Sequence, residues 1–347
     1  MKRFFHFSLS SLSRCLRQTI QVSGFISLYL FLTVLFFNSC GRQPEIPIKI
    51  SRLEQSMFTV PIDSIQDYTS LWEEEYGDLF NLYCINIICI GSPKSPNFHE
   101  ELTKFITHPD MNFVFERVME VFPDLNEIES GLGKAFYNYN KAFPDRDIPS
   151  VYTLMSGLNE SMIVTETAIA IALDKYLGKE EEIYFRMDMP NYMRQVMDSK
   201  YIVRDCMENW ISTEFPFNDS INNLLANIIY KGKIMYALHK LIPEAPDSLI
   251  FGFTPNQMRW CYNNTDMMWR HLVENKMLFI TDNFAISKLI NPAPFSFSST
   301  RESPGRAVTW LGYRIVTSYM KRNKVTLEAL LKDDDYQKIL EKARFKP

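Results

Sequence analysis

Histidine and glycine are scarce in this sequence, and their scarcity removes most familiar enzyme sites. Among 347 residues there are five histidines and twelve glycines. No HExxH pair is present for a zinc helix, no GxSxG elbow for a serine nucleophile, no GxGxxG turn for a dinucleotide and no phosphate-cradling P-loop. The six cysteines include no CxxC, and no histidine stands at ligand spacing beside them, so a zinc site is not signalled. The sequence thus implies no metal, no cofactor and no catalytic residue. Positive charge is also short, with 37 Lys and Arg against 41 Asp and Glu. Affinity for nucleic acid rests on clustered cations that neutralise phosphates, so nucleic acid is not an expected partner.

A long membrane span is missing too. The most apolar stretch runs from Phe25 to Phe37, broken by Ser27 and Thr33, and falls short of the ~20 residues a helix needs to cross the hydrocarbon core. Lys2, Arg3, Arg14 and Arg17 precede it, and no acid occurs before Cys40. A positive head followed by a short apolar middle makes a secretion signal. It ends in Asn38-Ser39-Cys40, where a small residue precedes a cysteine, as in the lipobox of bacterial lipoproteins. Phe37 and Asn38 depart from the tightest form of that motif. Residues 1–39 therefore read as a lipoprotein signal peptide and Cys40 as the lipidation site. Each buried methylene adds roughly 0.8 kcal/mol, so several acyl chains on one thiol hold a protein to a membrane without a spanning helix. Residues 40–47, with Pro44 and Pro47, read as an extended tether. No aspartate follows Cys40, which favours an outer membrane over the inner one, with the body facing the periplasm. Loss of residues 1–39 would take the formal charge from −4 to −8, because four cations and no acids leave with them.

Residues 48–347 read as a single globular domain, α+β and mostly α-helical, with a small antiparallel sheet around 150–173. Apolar content of 46% is enough for a large core. Residues 48–53 alternate apolar and polar as a half-buried strand does. Helical spacing is expected from Ile65 to Cys89, His99 to Thr107, Asn112 to Phe122 and Glu127 to Phe143. Short β-prone runs between 149 and 177 suggest a meander, with a helix as the alternative over 167–173. Asp219-Ser220 should cap a long buried helix ending before Pro243, and Thr254-Pro255 with Gln257 makes a capping box. Ser303-Pro304 repeats the cap-and-proline logic ahead of Val308, and a terminal helix is expected from Asp334 to Ala343. Export would permit disulfides, but Cys84 and Cys89, inside an apolar run, are expected as buried thiols, with a bridge as the alternative.

Four places draw attention as candidate sites. His239 and His271 lie on predicted helices without a second histidine at i+4, and are expected to pack. Asp205 with Glu208, or Glu302, would be members of an acid and base pair only if they faced one another across a cleft. Trp260, Trp269 and Trp310 with Tyr262 and Tyr313 could line a ligand or partner groove, although such spacing usually means core. Glu302-Ser303-Pro304-Gly305-Arg306 is the most unusual string. It reads either as an anion-binding helix start or as a turn locked by a buried Glu302–Arg306 ion pair.

Five strings after the lipobox carry a resemblance. They are Asp174-Lys175-Tyr176-Leu177-Gly178, Ile229-Tyr230-Lys231-Gly232-Lys233, Gly252-Phe253-Thr254-Pro255-Asn256-Gln257-Met258-Arg259-Trp260, Ala293-Pro294-Phe295 and Glu302-Ser303-Pro304-Gly305-Arg306. In this order they resemble the gliding-motility lipoprotein GldB family of Bacteroidetes. The resemblance implies an envelope lipoprotein tied to the gliding machinery in motile members, with no catalytic residues to carry over. With lipid on Cys40, the expected function is a structural or interaction component that meets other cell-envelope proteins. A more distant likeness is to zincin-type proteases that have lost their metal. Tyr201 to Ser212 would then stand for the active-site helix and Lys231-Gly232 for a later pair. A cell-envelope hydrolase, or a degenerate zincin-like peptide-binding protein, is the alternative function.

Overall fold

The computed structural model describes residues 44–297 and 302–347. The signal segment, its apolar stretch and Cys40 lie outside the described residues. Among the described residues no helix is long and apolar enough to cross a membrane.

Strand β4, Ala168–Ala172, sets the layers. Its sequence Ala-Ile-Ala-Ile-Ala is buried at every position. Successive side chains on a strand point to opposite faces. Ile169 and Ile171 enter a large core with Val151, Leu132, Phe136 and Ile202, whereas Ala170 and Ala172 meet a smaller one with Leu53, Trp72, Phe80 and Phe98. A strand covered on both faces reads as apolar throughout, which is why the 167–173 segment is a strand and not the alternative helix. The other strands are β1 (Ile50–Arg52), β2 (Ser150–Leu154) and β3 (Met162–Val164), in the spatial order β1-β2-β4-β3.

The sheet is mixed, which corrects the antiparallel expectation. β1 pairs with β2 and β2 with β4 in parallel, while β3 and β4 run antiparallel. Parallel neighbours need a long crossover, and the run of helices between residues 53 and 142 supplies it between β1 and β2. β3 then folds outside β4 as a hairpin, leaving β2 and β4 pointing the same way.

The helices follow the periodicity with local breaks. The expected 65–89 helix is divided by Gly77, at φ +54°, into Ile65–Tyr76, Asp78–Leu82 and a wider π turn at Tyr83–Ile87. Phe98–Thr107, Pro109–Val121 and Asn126–Ala142 follow. Pro109 opens its helix at the first turn, where the missing N–H leaves no bond unmade. The long buried helix is Leu224–Leu241. Its cap is Asn223, whose side chain accepts from the Ala226 N–H, and not Asp219-Ser220, which forms a separate short turn. The capping box at Thr254–Gln257 forms as expected. Its helix stops at Asn263, and His271 belongs to the next one, Thr265–Glu274. Ser303 does not cap the Val308–Arg322 helix; its hydroxyl accepts from the Phe297 N–H. The terminal helix is Tyr336–Ala343, capped by Asp335.

Cys84, Cys206 and Cys261 are buried free thiols, but Cys89 is exposed, at φ +54° where the π turn ends. Glu45 and Ile46, the far end of the expected tether, belong to the globular unit. The Ile46 N–H donates to the Gly133 carbonyl at 3.0 Å and Ser130 Oγ to Glu45 Oε2 at 2.8 Å. The globular unit thus takes in the last residues of the segment expected as a tether.

Fourteen of the 18 residues of Leu224–Leu241 are buried, as a helix surrounded on all sides requires. It crosses Val308–Arg322 at a backbone-to-backbone contact. A Cβ at Gly312 would lie 1.9 Å from the Ile228 carbonyl oxygen, and one at Gly232 would lie 2.2 Å from the Gly312 carbonyl carbon. Beside this crossing the buried ammonium of Lys233 donates to the Leu331 and Asp333 carbonyls, and burial pushes its pKa down to about 8. Backbone cannot yield as a side chain does, so Gly312→Ala should lower the unfolding free energy by about 3 kcal/mol, the upper end for overpacking. Urea denaturation followed by circular dichroism measures it, and an unchanged midpoint would show that the two helices can move apart freely.

Candidate functional site

Arg204 sits on the Ile202–Glu214 helix with its side chain only 6% exposed. An isolated buried guanidinium would be strongly unfavourable, so its neighbours must supply both charge and acceptors. Nη1 lies 2.6 Å from Asp205 Oδ1 and also meets Glu208 one helical turn on. Nε donates to the Ile250 carbonyl at 3.0 Å, which ties the helix to Asp247–Phe251. The Tyr176 hydroxyl, just past β4, donates to Asp205 Oδ2 at 2.9 Å. One donor is left over, since Arg204 Nη2 is buried without a protein partner among the described residues.

The two carboxylates respond differently. Burial raises the pKa of Asp205, with Arg204 opposing part of that rise. Burial would raise Glu208 as well, but Arg204, Lys231 and Arg306 together outweigh it and hold Glu208 below its ordinary value. Arg204 is itself held above its ordinary value, because Glu208 and Asp205 overcome the effect of burial.

Arg204, Asp205 and Tyr176 form part of the wall of a cavity of about 290 Å³, just below the ~300–1,000 Å³ that small-molecule sites occupy. Lys175, Gly252, Ala293, Gly305 and Arg306 also line it. These residues come from four of the five strings that carry the family resemblance. The fifth, Ile229–Lys233, makes the helix crossing through Gly232.

Backbone geometry explains why glycines occupy two of these positions. Gly252 takes φ +63°, the left-handed C-cap of Asp247–Phe251, and a Cβ there would lie 2.7 Å from Arg306 Nη2. A Cβ on Gly305 would fall 2.1 Å from the Ala293 carbonyl oxygen, so the two loops touch through backbone. Arg306 itself adopts φ +52°. For a residue with a long side chain this costs on the order of 1–3 kcal/mol and persists only where the surroundings enforce it. Its Nη2 donates to the Phe251 carbonyl at 3.0 Å. Among the described residues Arg306 forms no ion pair.

Asp174, two residues before Tyr176, is fully buried and accepts from the Ser156 N–H at 3.0 Å and the Leu158 N–H at 2.7 Å. Lys175 Nζ donates to the Leu158 carbonyl at 2.9 Å. Burial lowers the Lys175 pKa, with Asp174 opposing.

The sequence-predicted residues separate into those the cavity gathers and those it does not. Asp205 lines the cavity and Glu208 stands one turn behind it, but both share one nitrogen of Arg204. Two carboxyl groups bound to one nitrogen are closer than the ~6.5–9.5 Å that leaves room for a water in an inverting pair, and both are engaged by Arg204. Arg306 lines the cavity and Glu302 is exposed. The expectation of a buried Glu302–Arg306 ion pair is thus corrected, because Glu302 is exposed, and Arg306 Nη2 donates to the Phe251 carbonyl.

Trp260 packs on Phe297 and Trp269 on Phe345, with ring centroids 6.5 and 5.4 Å apart, and neither lines the cavity. Trp310 is buried among Tyr262, Tyr313 and Phe251, so the expected aromatic groove is divided into separate packing contacts. His239 stacks on Tyr313 at 4.4 Å and bonds Asp247, while His271 packs edge-on against Phe297. Among the described residues no group of three or more His, Cys, Asp and Glu could hold a metal ion. Cys40 lies outside the described residues.

Sequence reasoning missed Arg204, and it reached Lys175 and Gly252 only as members of the strings that carry the family resemblance. A charge pattern of Arg at i with acids at i+1 and i+4 was the one available signal for Arg204.

The fold and cavity define a mostly helical α+β protein with a small cationic cleft built from loops far apart in the chain. A family model described as gliding motility protein GldB matches residues 41–347, and the chain belongs to that family. No curated protein and no solved structure matches it.

Removing Arg204 would leave two acids buried against each other. Arg204→Met should lower stability by about 3–5 kcal/mol at neutral pH. Adding Asp205→Asn and Glu208→Gln to that variant should recover part of the loss. Thermal and urea unfolding measure both, and equal losses in the single and triple variants would disprove the neutralising role.

Proposed function

We propose that this protein is an outer-membrane lipoprotein, held by acyl chains on Cys40 and facing the periplasm, that serves as an interaction component and does not act by catalysis. Family membership supports a gliding-motility lipoprotein of the cell envelope. The observation that carries the binding role is the convergence of four separated strings on one cavity whose acids are neutralised by Arg204. A site built to hold a partner can spend its acids on fixing a guanidinium. A site built for proton transfer needs a carboxyl group free to exchange its proton. With Glu45 and Ile46 bound to the Asn126–Ala142 helix, the lipid would keep the body close to the membrane surface.

Mild crosslinking in cells followed by affinity capture should recover other envelope proteins, and Cys40→Ala should lose both fatty-acid labelling and those partners. Identical recovery from the Cys40→Ala strain would contradict the anchored role.

A second reading, a cell-envelope hydrolase acting on peptide or glycan, draws on the opposed pKa shifts of Asp205 and Glu208, since pairs pushed apart in this way divide acid and base roles. Purified protein incubated with peptidoglycan should release no fragments. Release that Asp205→Asn abolishes would establish the hydrolase instead.

A further inference from the structure

We propose that the cavity beside Arg204 and Arg306 binds a single carboxylate carried on a short apolar group, of the kind presented by the C-terminus of a peptide ending in an apolar residue. This rests on the binding role above and specifies its ligand class.

The charge of the ligand follows from what the cavity has left to offer. Arg204 is matched by two acids, and its Nη2 is buried out of reach of the cavity, so Arg204 contributes charge to the wall and leaves direct contact to Arg306. Arg306 lines the same cavity, has one hydrogen bond to a neutral carbonyl and no ion pair among the described residues. It is held there by an unfavourable backbone conformation and by a glycine whose hydrogen atom makes room for it. A planar guanidinium matches the two oxygens of a carboxylate.

The limit on that charge comes from the acids on the same wall. Asp205 lines the cavity and Glu160 lies exposed at its edge. Both would repel a phosphate dianion more strongly than a monoanion. The neighbouring amides add no competing demand, because the Gln195 amide donates to the Gly252 carbonyl and to Gln257, and Gln257 accepts from the Thr254 N–H.

The character of the rest of the ligand follows from the remaining walls. Val196, Met193, Phe253, Pro292, Ala293 and Pro304 give the cavity apolar sides around its cations. Its volume of about 290 Å³ admits the end of a chain and not a folded surface. A carboxylate on an apolar stem has two sources, a peptide terminus and a fatty acid, and the titration below distinguishes them.

Isothermal titration of the full chain in detergent tests this with four probes: acetyl-Ala-Ala-Phe with a free carboxylate, the same peptide amidated, decanoate, and inorganic phosphate. The free peptide acid should bind at least tenfold more tightly than the amide and than phosphate. Arg306→Gln should weaken it at least tenfold, and Arg306→Lys should weaken it less. The comparison of acid with amide on the unaltered protein needs no variant to fold. Decanoate binding without peptide binding would support the same carboxylate chemistry with a lipid source. Equal binding of acid and amide, tighter binding of phosphate, or no binding of any probe would overturn the proposal. If envelope partners were still recovered by crosslinking, such a result would remove the ligand class and leave the binding role standing.

Discussion

Burying one guanidinium is the constraint on which the candidate site depends. Arg204 sits on one helix, against a second helix and the segment that follows β4, and its charge is tolerable only because each supplies something. Asp205 and Glu208 come from its own helix, the Ile250 carbonyl from the Asp247–Phe251 helix, and Tyr176, arriving after β4, fixes the orientation of Asp205. Breaking such a set by removing one member leaves uncompensated charge in a poorly solvated place, which is why buried ion pairs are costly to disturb even when their net contribution to folding is small.

The same cluster decides how the cavity behaves. Two acids committed to one arginine leave Arg306 as a cation with space in front of it. The left-handed Gly252 and the close approach of Gly305 to Ala293 hold that side chain at the cavity wall. The Arg306 turn reaches the end of Asp247–Phe251, and the helix that follows it, Val308–Arg322, is held against Leu224–Leu241 by the glycine contact. Packing, backbone conformation and electrostatics therefore act on one small region from three directions.

Local features were legible in the sequence and non-local ones were not. The capping box at Thr254–Gln257 was readable because both partners lie within four residues. Helices such as Phe98–Thr107 and Asn126–Ala142 were readable from their apolar spacing. Gly77 split a helix that spacing alone ran on to Cys89, because one positive φ outweighs a continuing pattern. The direction of the β2–β4 pair depends on where β3 folds, which no alternation pattern encodes. Glu302 drew attention as the near neighbour of Arg306, yet the carbonyl that holds Arg306 is 55 residues away at Phe251. Arg204 escaped notice for the same reason, since Tyr176 and Ile250 are distant in sequence.

A binding role and a catalytic one differ most directly in the protonation of Asp205 and Glu208. Carbon-13 NMR of the labelled side-chain carboxyl groups, followed through a pH titration, reads each group separately. If Arg204 neutralises both, Glu208 should titrate below ~4.3, the ordinary glutamate value, and should stay ionised throughout the neutral range. A Glu208 midpoint near neutrality, with its carboxyl protonated in the resting protein, would contradict the account and turn the cavity into a site poised for acid and base chemistry.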